Sequence, residues 1–470
     1  MKMLIAGREA GVGRAISVQN PRDGSVIDTV PEATQAELEE ALAAAARGAR
    51  AMAAMTRHDR ALVLERASAA IAERSEELAG LLASEVGKTI REARLEVARA
   101  ASTFALSAAE ARRLSGEVVP FDAVPAGRDR LGFWMRMPIG VVAAITPFNF
   151  PLNLAAHKVA PAIAAGNAVV LKPATATPLA DLRLGSILYE AGLPGEALSV
   201  LTGSGPAVGD ALVAHAAPRM ITFTGSAEVG AAIGARAGLK RLAMELGSNS
   251  AVIVTERCDV EDAAERCVRG AYAVAGQVCI SVQRVLAHES VIGRFVDAAA
   301  AGASRLRVGD QLLEDTDVGP MIDETQARRA AERIADAVAM GGSVVVGGER
   351  SGAFVTPAVL TGVPERAAVW RDEAFAPVMV VRPYRALDEA IASVNRSRYG
   401  LQAGIFTDDL GEALRAATEI ECGGVMVNDV PSYRADHMPY GGVKDSGLGR
   451  EGPRFAVEEM TEVRLVAFRR

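Results

Sequence analysis

The sequence is short of the residues that build disulfide frameworks, metal centres and nucleic-acid surfaces. Its 470 residues include only four cysteines, Cys258, Cys267, Cys279 and Cys422, and five histidines. No two cysteines form a CxxC pair and the histidines lack ligand spacing, which argues against a structural zinc or any other metal site. So few cysteines also fit a reducing cytoplasm. Aromatics are 4% of the chain, and 51 Lys and Arg are outnumbered by 58 Asp and Glu, for a formal net charge of −7. Without a clustered basic surface, nucleic acid is not expected as a ligand. Long uncharged apolar runs are missing too. Residues 154–171 come closest, and His157, Lys158, Pro161 and Asn167 interrupt them, so no membrane span is expected. The opening Met1-Lys2-Met3-Leu4-Ile5-Ala6-Gly7 turns polar at once, without an apolar core of signal-peptide length.

What is present is an ordinary globular composition, half hydrophobic and 23% charged, in a chain too long for one core, so two or three lobes are expected. Residues 1–33 read as short extended pieces with a turn at Asn20-Pro21-Arg22-Asp23-Gly24. From 34 to about 116 the periodicity is helical, broken near 56–59 and 87–89, and 85–113 is long and amphipathic enough to be an oligomer surface. Residues 117–137 read as two strands around a Pro/Gly turn, with the tail strand 462–468 as their mate. Residues 138–245 alternate strands (141–145, 168–171, 198–201, 220–223) with helices (152–165, 180–191, 206–215), which implies parallel βαβ units. A second alternating block has strands at 251–254, 284–287, 343–346 and 378–381 and a helix near 323–340.

Five stretches carry chemistry-bearing residues. Gly276-Gln277-Val278-Cys279-Ile280-Ser281 sets a lone cysteine in a turn after the small-residue helix 269–275. A cysteine in such surroundings is more often a small buried hydrophobe than a nucleophile. Phe223-Thr224-Gly225-Ser226-Ala227-Glu228-Val229 runs from a strand through a Gly-Ser turn into a helix, whose open N–H groups and positive dipole end suit a phosphate. Leu171-Lys172-Pro173-Ala174-Thr175 closes another strand, at the edge where parallel sheets bind ligands. Lys172 there either holds ribose hydroxyls or a phosphate, or is simply solvated. In Thr146-Pro147-Phe148-Asn149-Phe150-Pro151 two prolines pin the backbone, so that the Asn149 amide either donates to an oxyanion or makes an Asx-turn. Met244-Glu245-Leu246-Gly247 sets a carboxylate among apolar neighbours. Burial would raise its pKa towards that of a useful general base, with capping or ion pairing as the ordinary alternative.

The order and intervals of Asn149, Lys172, Gly225, Glu245, Cys279 and Glu373 (in Arg371-Asp372-Glu373-Ala374-Phe375-Ala376-Pro377) resemble those of the aldehyde dehydrogenase superfamily nearly end to end. The late Tyr440-Gly441-Gly442-Val443-Lys444-Asp445-Ser446-Gly447 and Gly449-Arg450-Glu451 belong to the same resemblance. It implies an α/β fold with a Rossmann-like cofactor domain (1–116 and 138–245), a second α/β catalytic domain (246–452) and a small β oligomerisation lobe (117–137 and 453–470). A homodimer or homotetramer is implied as well. Cys279 would attack the aldehyde as a thiolate, and Asn149 with the Cys279 N–H would hold the oxyanion. Hydride would pass to NAD or NADP, and Glu245 would activate the water that hydrolyses the thioester. The residues implied around the cofactor are Ile145, Thr146, Pro147, Phe148, Lys172, Ala174, Thr175, Gly205, Phe223, Thr224, Gly225, Ser226, Val229, Leu246, Gly247, Glu373 and Phe375. Ser226 would meet the pyrophosphate, Lys172 the adenosine ribose and Glu373 the nicotinamide ribose. Glu451 matches a second carboxylate, a relay or support for Glu245.

One departure concerns the cofactor. Many NAD-preferring relatives carry Glu where this chain has Thr175; a carboxylate there repels a 2′-phosphate and threonine does not, so NADP acceptance is expected. For the substrate, Val278 and Ile280 would be apolar walls, and His157 and Arg434 would line the entrance. The relatives that resemble the chain there act on small hydroxylated or anionic aldehydes: lactaldehyde, glyceraldehyde-3-phosphate, phosphonoacetaldehyde and semialdehydes. Some phosphate- and phosphonate-using relatives carry Arg where this chain has Val278, which speaks against those two. A CoA-acylating enzyme would commonly lack the carboxylate at Glu245. A non-catalytic binding protein on this fold would not need Cys279, Asn149 and Glu245 together.

Overall fold

The strands Leu198–Val200, Ala168–Lys172, Val141–Ile145, Met220–Thr224 and Arg241–Glu245 lie side by side in this order, all parallel. The first four are buried along their whole length, as expected of apolar strands covered by helices on both faces. The chain builds outwards from Val141–Ile145 to one side and then returns to lay Met220–Thr224 on the other. That reversal opens a crevice at the strands' carboxyl ends, where open α/β sheets bind ligands, and the segments beginning at Thr146 and Gly225 start there. The computed structural model describes residues 1–469.

Both edges of this sheet are closed by antiparallel strands. Met3–Ile5, backed by Arg8–Ala10, covers one. Gly447–Leu448 covers the other, pairing with Met244 and Glu245. The expected boundary at 245/246 is therefore crossed: a late segment returns to the first sheet, because the edge beside Glu245 would otherwise leave backbone groups unpaired.

A second sheet orders Ser343–Val346, Ala358–Thr361, Val378–Tyr384, Arg284–His288, Ala251–Val254, Gln402–Phe406 and Gly424–Val427. All its pairs are parallel except the first. A three-stranded antiparallel sheet joins Glu117–Val119, Arg130–Pro138 and Thr461–Arg469, so the tail strand does pair with the hairpin. Among the described residues no helix is long and apolar enough to cross a membrane.

Two helical expectations change. The helix Ile90–Arg113 starts only after a capping box between Thr89 and Glu92. Its apolar stripe (Ala93, Val97, Ala100, Phe104, Ala108) is buried in the core. The helix expected over 206–215 changes only in its first half: Gly205–Gly209, opened by the Ser204 cap, is a wider π-helical turn that runs on into the α-helix Asp210–Ala214.

Candidate active site

Cys279 sits on a loop whose conformation is fixed from several directions. The preceding helix, Val260–Tyr272, ends three residues before the expected 275, because Val274 and Ala275 adopt left-handed backbone with φ of 50° and 52°. Such angles are costly for a β-branched residue and persist only where surroundings enforce them. The Val274 N–H donates to Glu92 Oε1 at 2.8 Å. The buried Gln277 side chain donates to the Val274 carbonyl at 3.1 Å and accepts from the Ile322 N–H at 2.9 Å. Gly276, at φ 71°, is required twice over: a Cβ there would lie 2.1 Å from the Ala376 carbonyl oxygen. The loop of Cys279 and the loop of Glu373 and Phe375 are thus pressed together.

Cys279, Asn149 and Glu245 line one cavity of about 1060 Å³. Asn149 is buried, and its Nδ2 donates to the Gln277 carbonyl at 2.8 Å while Oδ1 accepts the Phe150 N–H at 3.2 Å. An amide nitrogen carries two hydrogens, so one remains for a ligand. The Cys279 N–H donates to no backbone carbonyl among the described residues.

Glu245, at the end of its strand, is buried with no hydrogen-bond partner on either carboxylate oxygen among the described residues. Burial first and the neighbouring Glu451 second push it up to about 8. Glu451 goes the other way. Lys158 Nζ donates to its Oε1 at 2.8 Å and Arg434 Nη2 to its Oε2 at 2.9 Å, and these two cations hold it well below the ordinary carboxyl range despite burial. Two adjacent carboxyls are thereby driven apart, one ionised and one protonated near neutrality. Burial and then Glu245 push the Cys279 thiol well above its usual value, while the Tyr440 hydroxyl and Arg434 pull it back. The Sγ lies 3.1 Å from the Tyr440 hydroxyl.

The expected cofactor residues divide in two. Thr146, Pro147, Phe148, Ala174, Phe223, Thr224, Gly225, Ser226, Val229, Leu246, Gly247, Glu373 and Phe375 share the cavity wall with Cys279. Ser226 caps the helix Ala227–Arg236 by accepting from the Val229 N–H. Phe148 meets Phe375 edge to face at 5.8 Å. Burial pushes Glu373 up to about 7, and its Oε1 takes the Ser248 N–H at 3.0 Å. A Cβ on Gly247 would lie 2.4 Å from the other oxygen, so glycine keeps that approach open. A helix N-terminus, a cleared backbone and a buried carboxyl along one wall fit an elongated dinucleotide.

Ile145, Lys172, Thr175 and Gly205 lie off the cavity wall. Lys172 is buried instead of solvated; its Nζ donates to the Pro173 carbonyl at 2.8 Å, and burial pushes it down to about 8. Thr175 donates to the Gly203 carbonyl at 3.0 Å.

Among the expected substrate residues, Val278, Ile280 and Arg434 line the cavity and His157 does not. His157 is fully buried behind it, with Nε2 at 3.1 Å from Asp436 Oδ1, a carboxylate that Arg99 also grips at 2.8 Å. Burial and then Arg434 push His157 down to about 4, so it is neutral and positions Asp436. Helical periodicity on the segment Pro151–Ala165 does not separate cavity-facing from core-facing residues, since all fifteen are buried. Sequence reasoning missed the roles of Tyr440, Asp436 and Lys158. Tyr440 stood inside the late glycine motif, but its contact with Cys279 spans 161 residues.

The model of the Aldehyde dehydrogenase family matches residues 8–466. The 3-sulfolactaldehyde dehydrogenase of Priestia aryabhattai is 49% identical over 409 residues, covering 87% of this chain and 86% of that protein. The crystal structure of aldehyde dehydrogenase 21 from Physcomitrella patens, in complex with the reaction product succinate, is 40% identical. It superposes with a TM-score of 0.97 over 100% of this chain and 98% of its own. Glyceraldehyde-3-phosphate dehydrogenase GapN from Methanocaldococcus jannaschii, complexed with NADP, is 39% identical with a TM-score of 0.94 over 98% of this chain and 100% of its own. With the match running almost from end to end, the chain belongs to the aldehyde dehydrogenase family and is an NAD(P)-dependent oxidoreductase.

Proposed function

We propose that the protein oxidises a short aldehyde carrying an anionic group to the carboxylic acid, through a covalent adduct on Cys279 and hydrolysis by water. One observation carries the reading: Cys279, Asn149, Glu245 and an incompletely paired Arg434 wall the same cavity. The Cys279 thiolate adds to the aldehyde carbon, and the negative charge that develops on oxygen is taken by the free Asn149 N–H and the Cys279 N–H. What a bound nicotinamide supplies is an acceptor for the hydride. Loss of that hydride leaves a thioester on Cys279. Glu245, once ionised, takes a proton from water; the hydroxyl adds to the thioester carbon, the C–S bond breaks, and acid and thiolate separate. Orphaned carboxylate oxygens beside the sulfur suit such a water.

The anionic class rests on Arg434. Its side chain is 7% exposed, Nη2 serves Glu451, and Nε has no partner among the described residues. An arginine stays charged, and a buried cation with an unused donor favours an anion. Charge balance agrees: Lys158 and Arg434 flank the Glu451 carboxylate, so with Glu245 protonated this group of side chains beside Cys279 carries one positive charge. The relatives named above act on, or hold, a sulfonate, a phosphate or a dicarboxylate. A panel of sulfonated, phosphorylated, carboxylated, hydroxylated and neutral short aldehydes, assayed with both cofactors and with CoA, tests this. NAD(P)H and free acid are expected, and acyl-CoA would replace the hydrolytic reading. Arg434→Met is expected to lower kcat/KM for the best anionic aldehyde by roughly 10–100-fold more than for a neutral one of equal length. An equal loss on both removes Arg434 from substrate recognition.

The Thr175 hydroxyl and the Glu32 carboxylate flank Gly203 and Ser204, with Glu32 Oε1 accepting the Ser204 N–H at 3.1 Å. Lys172 adds a cation beside this turn and Thr175 adds no carboxylate, so the reading is acceptance of NADP beside NAD. Thr175→Glu is expected to move the NAD:NADP ratio of kcat/KM towards NAD by about tenfold, the size of one added like-charge repulsion near a protein surface. An unchanged ratio dismisses Thr175 as the determinant.

A further inference from the structure

We propose that Tyr440 is a further catalytic residue, whose hydroxyl donates a hydrogen bond to the Cys279 thiolate and holds it in its reactive form. This rests on the reading of Cys279 as the nucleophile. The phenol oxygen and the sulfur are 3.1 Å apart, with the Glu245 carboxyl as the sulfur's other polar neighbour. Tyr440 is 1% exposed and has no freedom to aim elsewhere. Its backbone exchanges two hydrogen bonds with Glu451, Tyr440 N to Glu451 O at 3.1 Å and Glu451 N to Tyr440 O at 2.6 Å. Its ring carries the Arg434 guanidinium at 3.7 Å, and that guanidinium is tied to the Glu451 side chain. One residue, Glu451, therefore fixes the ring from the backbone and from the face.

The direction of the bond follows from acidity. Burial pushes the Tyr440 phenol well above its ordinary value, with Cys279 and Glu245 adding to it. When the sulfur ionises, the phenol keeps its proton and must be the donor. Tyr440 cannot serve as the base that removes the thiol proton. The need for a donor is plain from what surrounds the sulfur. Burial, Glu245 and Glu373 all disfavour the thiolate, and only Tyr440 and Arg434 favour it. Lys158 and Glu451 are already paired with each other. Reactive cysteines elsewhere gain their thiolate from a neighbouring cation or helix end; here a neutral hydroxyl shares that role with Arg434.

The test is the pH dependence of iodoacetamide alkylation of the cofactor-free enzyme, mapped to Cys279 by mass spectrometry, for the wild type and Tyr440→Phe. The variant keeps the ring under Arg434 and loses only the hydroxyl. The midpoint of Cys279 alkylation is expected to rise by about one pH unit, with the rate at pH 8 about tenfold lower and kcat/KM reduced in proportion. Site-specific replacement of Tyr440 by a trifluorinated tyrosine, a stronger donor, is expected to move the midpoint down. Midpoints unmoved in both variants overturn the proposal. A wild-type enzyme in which iodoacetamide leaves Cys279 unmodified and activity intact overturns the nucleophile itself, a separate failure.

Discussion

Cys279→Ala is expected to remove NAD(P)H production from every aldehyde, lowering kcat/KM by roughly 10⁴-fold or more, while the cofactor dissociation constant read by fluorescence quenching stays within about twofold. The size follows from what alanine deletes: no other group at the cavity can form the adduct from which hydride departs. Of the four cysteines only Cys279 lines the cavity. Cys267 is fully buried in the second core with its thiol pushed up by burial, and burial pushes Cys258 and Cys422 up to about 11. None can substitute. The fold should not suffer, since a half-buried sulfur beside a cavity leaves little packing to lose. Residual turnover within about tenfold of the wild type would end the covalent reading.

The sequence carried the order of the chemistry better than its surroundings. Asn149, Glu245 and Cys279 each had an ordinary structural alternative, and only their order and intervals, resembling those of a family, singled them out; the fold brings the three to one cavity. The parallel strands of the first sheet were legible as short apolar runs between helices. Three strands of the second sheet were not. Ala358–Thr361, Gln402–Phe406 and Gly424–Val427 are short, and the last two contain glycines that blur a strand signal. Their strand character comes from pairing, Ala358–Thr361 with Val378–Tyr384, Gln402–Phe406 with Ala251–Val254, and Gly424–Val427 with Gln402–Phe406. His157 shows the converse failure. Its position along the chain matched an entrance residue, but which side of a wholly buried helix it faces is decided by Asp436, 279 residues away. Long-range pairing of this kind leaves no local trace.

Glu245 is where such pairing has the largest chemical consequence, because its acidity is set by a lysine, an arginine and a second carboxylate drawn from three separate stretches. As burial and Glu451 raise it to about 8, it is protonated at neutral pH and becomes a base only as pH rises. Steady-state turnover limited by deacylation should therefore climb through an apparent pKa near 8 and level off above it. Glu245→Gln should abolish that limb and slow the steady state by about 10²–10³-fold, the ordinary contribution of a general base. The first turnover should survive, since adduct formation and hydride loss do not use the carboxylate. A stopped-flow trace should then show a burst approaching one NAD(P)H per active subunit followed by a nearly flat line. Equal loss of burst and steady state would mean that Glu245 acts before the thioester, on the thiol, and the assignment of deacylation would pass to another group.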